Sequence, residues 1–268
     1  MEGLSLGPFL LRWNGLFIAL GVAFGGLVSA LGVRRRYQDT EIILYLFTPV
    51  VVWGWLGARL WHVFTPPLSS IQLDLTTTHY LSHPLDILAA WIGGYGIPGA
   101  LLGGVFGLWL AARKEELPFW QVADLLALGA LLAQVIGRAG NYFNQEIYGL
   151  PTTLPWGIFI EPQNRLNGFE QIEFYHPLFA YEMILNSLAL FFLFRLAGGK
   201  YAEKLPTGGV FLIYLTVSSA IRFSLEFLRL DTALVNGLNV NLIFFALLFL
   251  LAGFLFYQKW SEQELQGY

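Results

Sequence analysis

Seven stretches of this chain are apolar over nearly the length needed to cross a bilayer, and no other feature limits the possible folds so strongly. A bilayer core takes about 20 apolar residues of helix. By that measure the spans are Gly15–Leu31, Ile42–Phe64, Leu85–Ala112, Trp120–Val135, Leu178–Leu196, Gly208–Leu228 and Leu238–Tyr257. Backbone in lipid must satisfy its own hydrogen bonds, so runs of this length imply helices. The expected fold class is an all-α membrane protein: seven transmembrane helices forming one polytopic domain over 1–268. A small extracytoplasmic head region is expected as an insertion at 150–175, where Trp156 to Ile160 alternates in strand fashion. The third span is long and Gly-rich, which points to a tilt, a kink or a break. Glu2 precedes the first basic residue, Arg12, unlike a signal peptide, so the first span reads as retained.

Charge supports the same class. Only 12% of the 268 residues are charged, about half of the roughly 25% of a soluble domain. A soluble enzyme, a disordered protein and a collagen-like chain are thereby excluded, and nothing suggests a nucleic-acid partner. Basic residues set orientation. Arg34, Arg35, Arg36, Arg113, Lys114, Arg195, Lys200, Lys204 and Lys259 all fall on one side if the N-terminus is outside and the C-terminus cytoplasmic. The 65–84 loop, with no Lys or Arg, then lies outside.

Six arginines remain: Arg12, Arg59, Arg138, Arg165, Arg222 and Arg229. An arginine within the membrane costs about 3 kcal/mol on insertion scales, so such residues usually bind an anion or pair with a carboxylate. Snorkelling to the headgroups is the plainer reading, and suits Arg12 or Arg165 taken alone. Two clusters hold three of the others. The first runs from Gly137-Arg138 through Asn141, Asn144, Glu146 and Gly149, just beyond the fourth span. If the helix persists there, Arg138 and Asn141 share a face. A polar cap on the helix exit is the alternative. The second is Arg222-Phe223-Ser224-Leu225-Glu226-Phe227-Leu228-Arg229-Leu230-Asp231, whose Arg222, Glu226 and Arg229 form a plus–minus–plus stripe at helical spacing. It reads either as a structural ion network or as an outward-facing anion site in which Glu226 positions both guanidinium groups.

Other features carry less. Asp124 shares the Arg138 face but lies about 21 Å away along a helix, suiting a helix start. His176 opens the His176-Pro177-Leu178-Phe179-Ala180-Tyr181-Glu182 segment as a hydrogen-bonded anchor or a proton carrier. His62, His79 and His83 have no metal-ligand spacing. Gly94-Tyr95-Gly96-Ile97-Pro98-Gly99 matches G-x-G-x-x-G in form alone, with no preceding strand, and no dinucleotide site is expected. Gly99, Ala100, Gly103 and Gly104 suit close helix packing, while Pro98 should interrupt its helix.

The Gly137–Gly149 segment resembles the signature of the prolipoprotein diacylglyceryl transferase family. The likeness extends to Leu11-Arg12-Trp13 with Gly15-Leu16, Gly57-Ala58-Arg59, Gln121-Val122-Ala123-Asp124, His176-Pro177 with Tyr181-Glu182, and Arg222 to Asp231. The resemblance implies an enzyme of the bacterial plasma membrane with two substrates, phosphatidylglycerol and the lipobox cysteine of a preprolipoprotein signal peptide. The diacylglyceryl group moves to the thiol as a thioether, and glycerol 1-phosphate leaves. It implies Arg138 as the phosphatidylglycerol-binding arginine, with Asn141, Asn144, Gly149, Arg59 and Arg229 as further substrate-binding residues. Arg222 and Glu226 match the second essential cluster, and Glu146 or His176 is the candidate proton acceptor. The chain has no cysteine, so the thiol belongs to the substrate. No cofactor and no metal are expected, and a monomer is.

Three positions depart from the family pattern. Its His-Gly-Gly-Leu reads Pro98-Gly99-Ala100-Leu101, its Trp-Tyr-Gly reads Trp13-Asn14-Gly15, and a late Gln reads Asn241. The usual histidine and tyrosine are therefore absent. The alternative function is a non-catalytic phospholipid-binding or scaffold relative. A transporter ranks last, since no repeat relates the two halves.

Overall fold

Apolar runs with small residues at helical spacing fold here into long helices whose backbones meet closely. The computed structural model describes residues 3–6, 9–38, 41–88, 93–198 and 203–266. A hairpin of β1 (Gly3–Leu6) and β2 (Phe9–Arg12) leads into α1 (Trp13–Tyr37) and α2 (Glu41–Phe64). Three short helices follow, α3 (Leu68–Gln72), α4 (Thr77–Ser82) and α5 (Pro84–Leu88). Next come α6 (Ile97–Lys114) and α7 (Phe119–Asn144). Strands β3 (Ile158–Phe159) and β4 (Phe174–Tyr175) precede α8 (Leu178–Ala197) and α9 (Gly209–Glu226). The hairpin of β5 (Leu234–Val235) and β6 (Leu238–Asn239) turns into α10 (Val240–Gln266).

Among the described residues, six helices are long and apolar enough to cross a membrane: α1, α2, α7, α8, α9 and α10. The expected third span is divided. Its start forms α5, residues 89–92 lie outside the described residues, 93–96 belong to no helix or strand, and only then does α6 begin. Gly93 and Gly94, at φ +91° and +84°, take the left-handed conformation that turns the chain into α6. Pro98 does not interrupt a helix as expected. It sits in the first turn of α6, where its missing N–H leaves no hydrogen bond unmade. The basic residue Lys200 also falls outside the described residues.

The small residues do their expected work, and on two seams. A Cβ on Gly99 would strike the Gly57 carbonyl, on Gly103 the Trp53 carbonyl, and on Gly107 the Pro49 carbonyl, so α6 lies backbone to backbone against α2. Gly21, Gly25 and Gly129 bring α1 equally close to α7. The main core gathers Val33, Leu46, Leu108, Val122, Leu131 and Leu212 from five of these helices.

Beyond α7 a second core forms from Tyr148, Ile160, Leu166, Tyr175 and Leu230. The pairs Ile158↔Tyr175 and Phe159↔Phe174 supply the strand character there. Tyr148 accepts from the Leu166 N–H at 3.0 Å and donates to the Asn164 carbonyl at 2.8 Å, and burial pushes its phenol up to about 12. Arg165 holds the same segment by donating to the Ile160 carbonyl at 2.8 Å and to the Glu170 carbonyl at 2.6 Å.

A side chain at Gly103 must push α6 off α2. Gly103→Val should cost at least about 1–3 kcal/mol and lower the thermal midpoint in detergent. Gly253→Val, on α10 with open space around it, should leave the midpoint unchanged.

Candidate functional site

Three helices bring their charges to one level. α7 runs past the expected Val135 boundary to Asn144, which carries Arg138, Asn141 and Asn144 on continuous helix. Arg138 lies near its end, Glu182 near the start of α8, and Arg222 near the end of α9. Antiparallel neighbours therefore meet at the same depth. Glu182 Oε1 lies 2.9 Å from Arg138 Nε and 2.6 Å from Arg222 Nη2. All three residues are at most 7% exposed. Arg138 Nη1 also donates to Asn141 Oδ1 at 3.1 Å, and the Phe245 ring lies beneath the Arg222 guanidinium.

Glu182 is thus the carboxylate that joins Arg138 to Arg222, while Glu226, expected to position Arg222 and Arg229, lies beside Arg229. α9 ends at Glu226, and a tighter turn carries Arg229 back over it through the Arg229 N–H to Glu226 carbonyl bond. Glu226 Oε2 is 3.6 Å from Arg229 Nη1, whereas its buried Oε1 has no hydrogen-bond partner among the described residues. The Asp231 carboxylate turns away to Ser69, accepting from its N–H at 2.8 Å and its hydroxyl at 2.7 Å. The sequence signal for Glu182 was present: it is the one carboxylate in α8.

The charges do not cancel. Three guanidinium groups, Arg138, Arg222 and Arg229, face two carboxylates, Glu182 and Glu226. One positive charge is left over in a buried setting, where an unbalanced charge is costly. An anion bearing one negative charge, such as a phosphate diester, would balance it, and guanidinium forks fit phosphate oxygens.

Glu146 lies just past the end of α7, where Gln145 turns the chain at φ +52°. Asn14 Nδ2 donates to its Oε2 at 2.9 Å and Asn144 Nδ2 to its Oε1 at 3.2 Å. Its N–H bonds the Asn141 carbonyl at 3.0 Å, which ties it to the Arg138 partner. Although its side chain reaches the surface, the surrounding protein desolvates the carboxylate enough to raise its pKa, against the lowering effect of Asn144 and of the Arg12 charge. Asn14 is therefore a direct partner of this carboxylate.

The remaining expected residues sit apart from the arginines. His176 Nδ1 is 3.0 Å from the Tyr181 hydroxyl, which accepts from Trp156 Nε1 at 2.7 Å. Trp156, Tyr181 and His176 thus form one chain of contacts that fixes the imidazole beside Gly149. Gly149 serves close approach: a Cβ there would lie 2.7 Å from the Leu228 carbonyl and 3.0 Å from the His176 Cβ. Arg59 is buried and engaged by backbone, donating to the carbonyls of Asp86, Ile87, Gly93 and Gly94 at 2.5–3.0 Å. It holds the turn into α6 and is not grouped with the other arginines. Asp124 accepts from the Gly208 N–H at 2.7 Å and the Phe211 N–H at 2.8 Å, capping α9 from outside that helix. It anchors the end of α9 opposite Arg222. Asn241 accepts from Trp61 Nε1 at 3.2 Å and links α10 to α2.

Removing Glu182 strands two buried guanidinium groups. Glu182→Leu should cost about 3–5 kcal/mol in thermal unfolding, and inorganic phosphate should restore part of the loss.

The comparisons with known proteins agree along the chain. Residues 2–258 match the family model described as prolipoprotein diacylglyceryl transferase. A phosphatidylglycerol–prolipoprotein diacylglyceryl transferase of Synechococcus sp. (strain CC9902) is 39% identical, covering 88% of this chain and 82% of its own length. The enzyme of that name from Parasynechococcus marenigrum (strain WH8102) is 35% identical, covering 97% and 94%. That from Trichormus variabilis is 34% identical, covering 88% and 81%. The matched span takes in both arginine clusters and the carboxylate between them, and this chain belongs to the prolipoprotein diacylglyceryl transferase family.

Proposed function

We propose that this chain transfers the diacylglyceryl group of phosphatidylglycerol to the cysteine thiol of a prolipoprotein in a bacterial plasma membrane. The observation that carries the reading to specific residues is the buried Arg138–Glu182–Arg222 group with its surplus positive charge. In the reaction the peptide sulfur forms a C–S bond to the glyceryl carbon, the C–O bond to phosphate breaks, and glycerol phosphate departs with the electron pair. Charge builds on the phosphate as it leaves. Arg222 and Arg138 stabilise it, each exchanging a share of Glu182 for phosphate oxygen, in a setting from which water is excluded. Arg229 adds charge from the rim, and Asn141 orients Arg138. Glu226, held beside Arg229, tunes that charge.

The thiol must lose a proton. A free thiol of pKa about 8.5 is only a few per cent ionised at pH 7, and nearby arginines favour the thiolate. Glu146 is the acceptor that the geometry favours, because its pKa is raised and Asn14 and Asn144 fix its orientation. Proline at position 98 offers no titratable group. His176 orders the segment around Gly149 through its backbone bonds to Gly149 and Leu150. Arg59 acts at a distance, by setting the start of α6.

The proposed topology has seven spans, with α6 as the seventh. Its 18 residues extend about 27 Å, close to the thickness of a bilayer core. The basic last turns of α1, α6 and α8 support a cytoplasmic face on their side. The N-terminus and the 150–175 segment then lie outside and the C-terminus inside. The chain forms one domain and acts as a monomer, with no nucleic-acid partner.

The test is a mass shift on a synthetic lipobox peptide incubated with the purified protein in phosphatidylglycerol vesicles. Arg222→Lys should reduce the rate by about 10²–10³-fold. Phospholipid binding without any peptide modification would return the non-catalytic reading. With Glu146 as acceptor the active form is the carboxylate. The rate should therefore fall as pH drops through a pKa above the ordinary glutamate range, and Glu146→Gln should remove both that limb and most of the rate.

A further inference from the structure

Directly beneath the ion group, one helical turn deeper on the same three helices, lies a second polar layer without charge. Gln134 is four residues before Arg138 on α7, Asn186 four residues after Glu182 on α8, and Ser218 and Ser219 four and three residues before Arg222 on α9. Residues three or four apart share a helical face, so each layer member lies about 5–6 Å below its charged partner. One contact crosses this layer, from Gln134 Nε2 to the Tyr214 hydroxyl at 2.6 Å.

The rest of the layer is buried and unpaired among the described residues. Asn186 and Ser219 are 1% exposed and Ser218 is 5% exposed. Yet both amide atoms of Asn186, the two serine hydroxyls and Gln134 Oε1 have no hydrogen-bond partner among the described residues. Each such group, buried unpaired, costs about 1–3 kcal/mol, and an apolar residue of similar shape would avoid the cost. A set of donors and acceptors kept at that cost, adjoining an anion site, suits a ligand that brings hydroxyls with its phosphate.

Building on the proposed function, we propose that this layer is the subsite for the hydroxyl groups of a glycerol phosphate headgroup. The phosphate takes the Arg138–Arg222 level, and displacement of Glu182 from between the arginines opens the way to Asn186 below it on the same helix. Asn186 and the two serines then pair with the headgroup hydroxyls. The layer selects the headgroup, whereas the arginines select only its charge.

Soluble probes separate this from the transfer reaction. Thermal shift titrations of the purified full chain with glycerol 1-phosphate and with ethyl phosphate compare ligands of equal charge that differ in hydroxyls. The unmodified protein should bind glycerol 1-phosphate about tenfold or more tightly. Ser218→Ala with Ser219→Ala, and separately Asn186→Leu, should bring the two affinities within about threefold of each other while ethyl phosphate binding stays as it was. That retained binding also reports an intact fold. Equal affinities in the unmodified protein, or a preference that survives both variants, overturn the proposal. Failure of the lipobox peptide assay, by contrast, would sink the transferase reading and leave these binding ratios to decide the subsite.

Discussion

A single carboxylate, Glu182, makes it possible to bury two arginines where three helices converge. Without it, Arg138 and Arg222 would place two like charges within reach of each other in a medium that screens them poorly. With it, α7, α8 and α9 are tied together near one end, and their other features follow from that tie. Asp124 fixes the far end of α9 by capping it from α7, so Arg222 is held from both directions. The closeness of α1 to α7, through Gly21, Gly25 and Gly129, in turn holds Asn14 against Glu146.

The ion group is stable enough to exist and unbalanced enough to bind. A fully neutral network would have little reason to accept a phosphate, and an uncompensated pair of arginines would destabilise the fold. Three cations against two carboxylates leaves the protein poised for one added negative charge. Buried ion networks often contribute little net stability, which is consistent with the binding role proposed for this one.

Much of this was legible from the chain alone. Hydropathy located the long helices, the sorting of basic residues isolated the six that topology does not use, and both motif clusters lay where charge density marked them. Reading Arg138 and Asn141 as facing together needed only that α7 continue, and it does. What the chain alone does not show has a common origin. The local stripe placed Glu226 with Arg222 and Arg229, and it does lie beside Arg229, but the carboxylate that joins Arg222 to Arg138, Glu182, arrives from another helix. Nothing beside Arg59 in the chain marks its backbone partners, which belong to a turn about 30 residues later. Pro98 looked like a helix breaker because α6 was expected to start earlier.

The sequence by itself determined the membrane class, the approximate helices, the family and the identity of the charged groups. These depend on apolar length and on local order, which are properties of a single strand of chain. The tertiary structure decided which carboxylate meets which arginine, which backbone carbonyls Arg59 holds, and that His176 lies against Tyr181. It also placed an unpaired polar layer beneath the charges. Pairing and protonation depend on neighbours brought together from distant helices, and no pattern along one helix specifies which neighbours those will be.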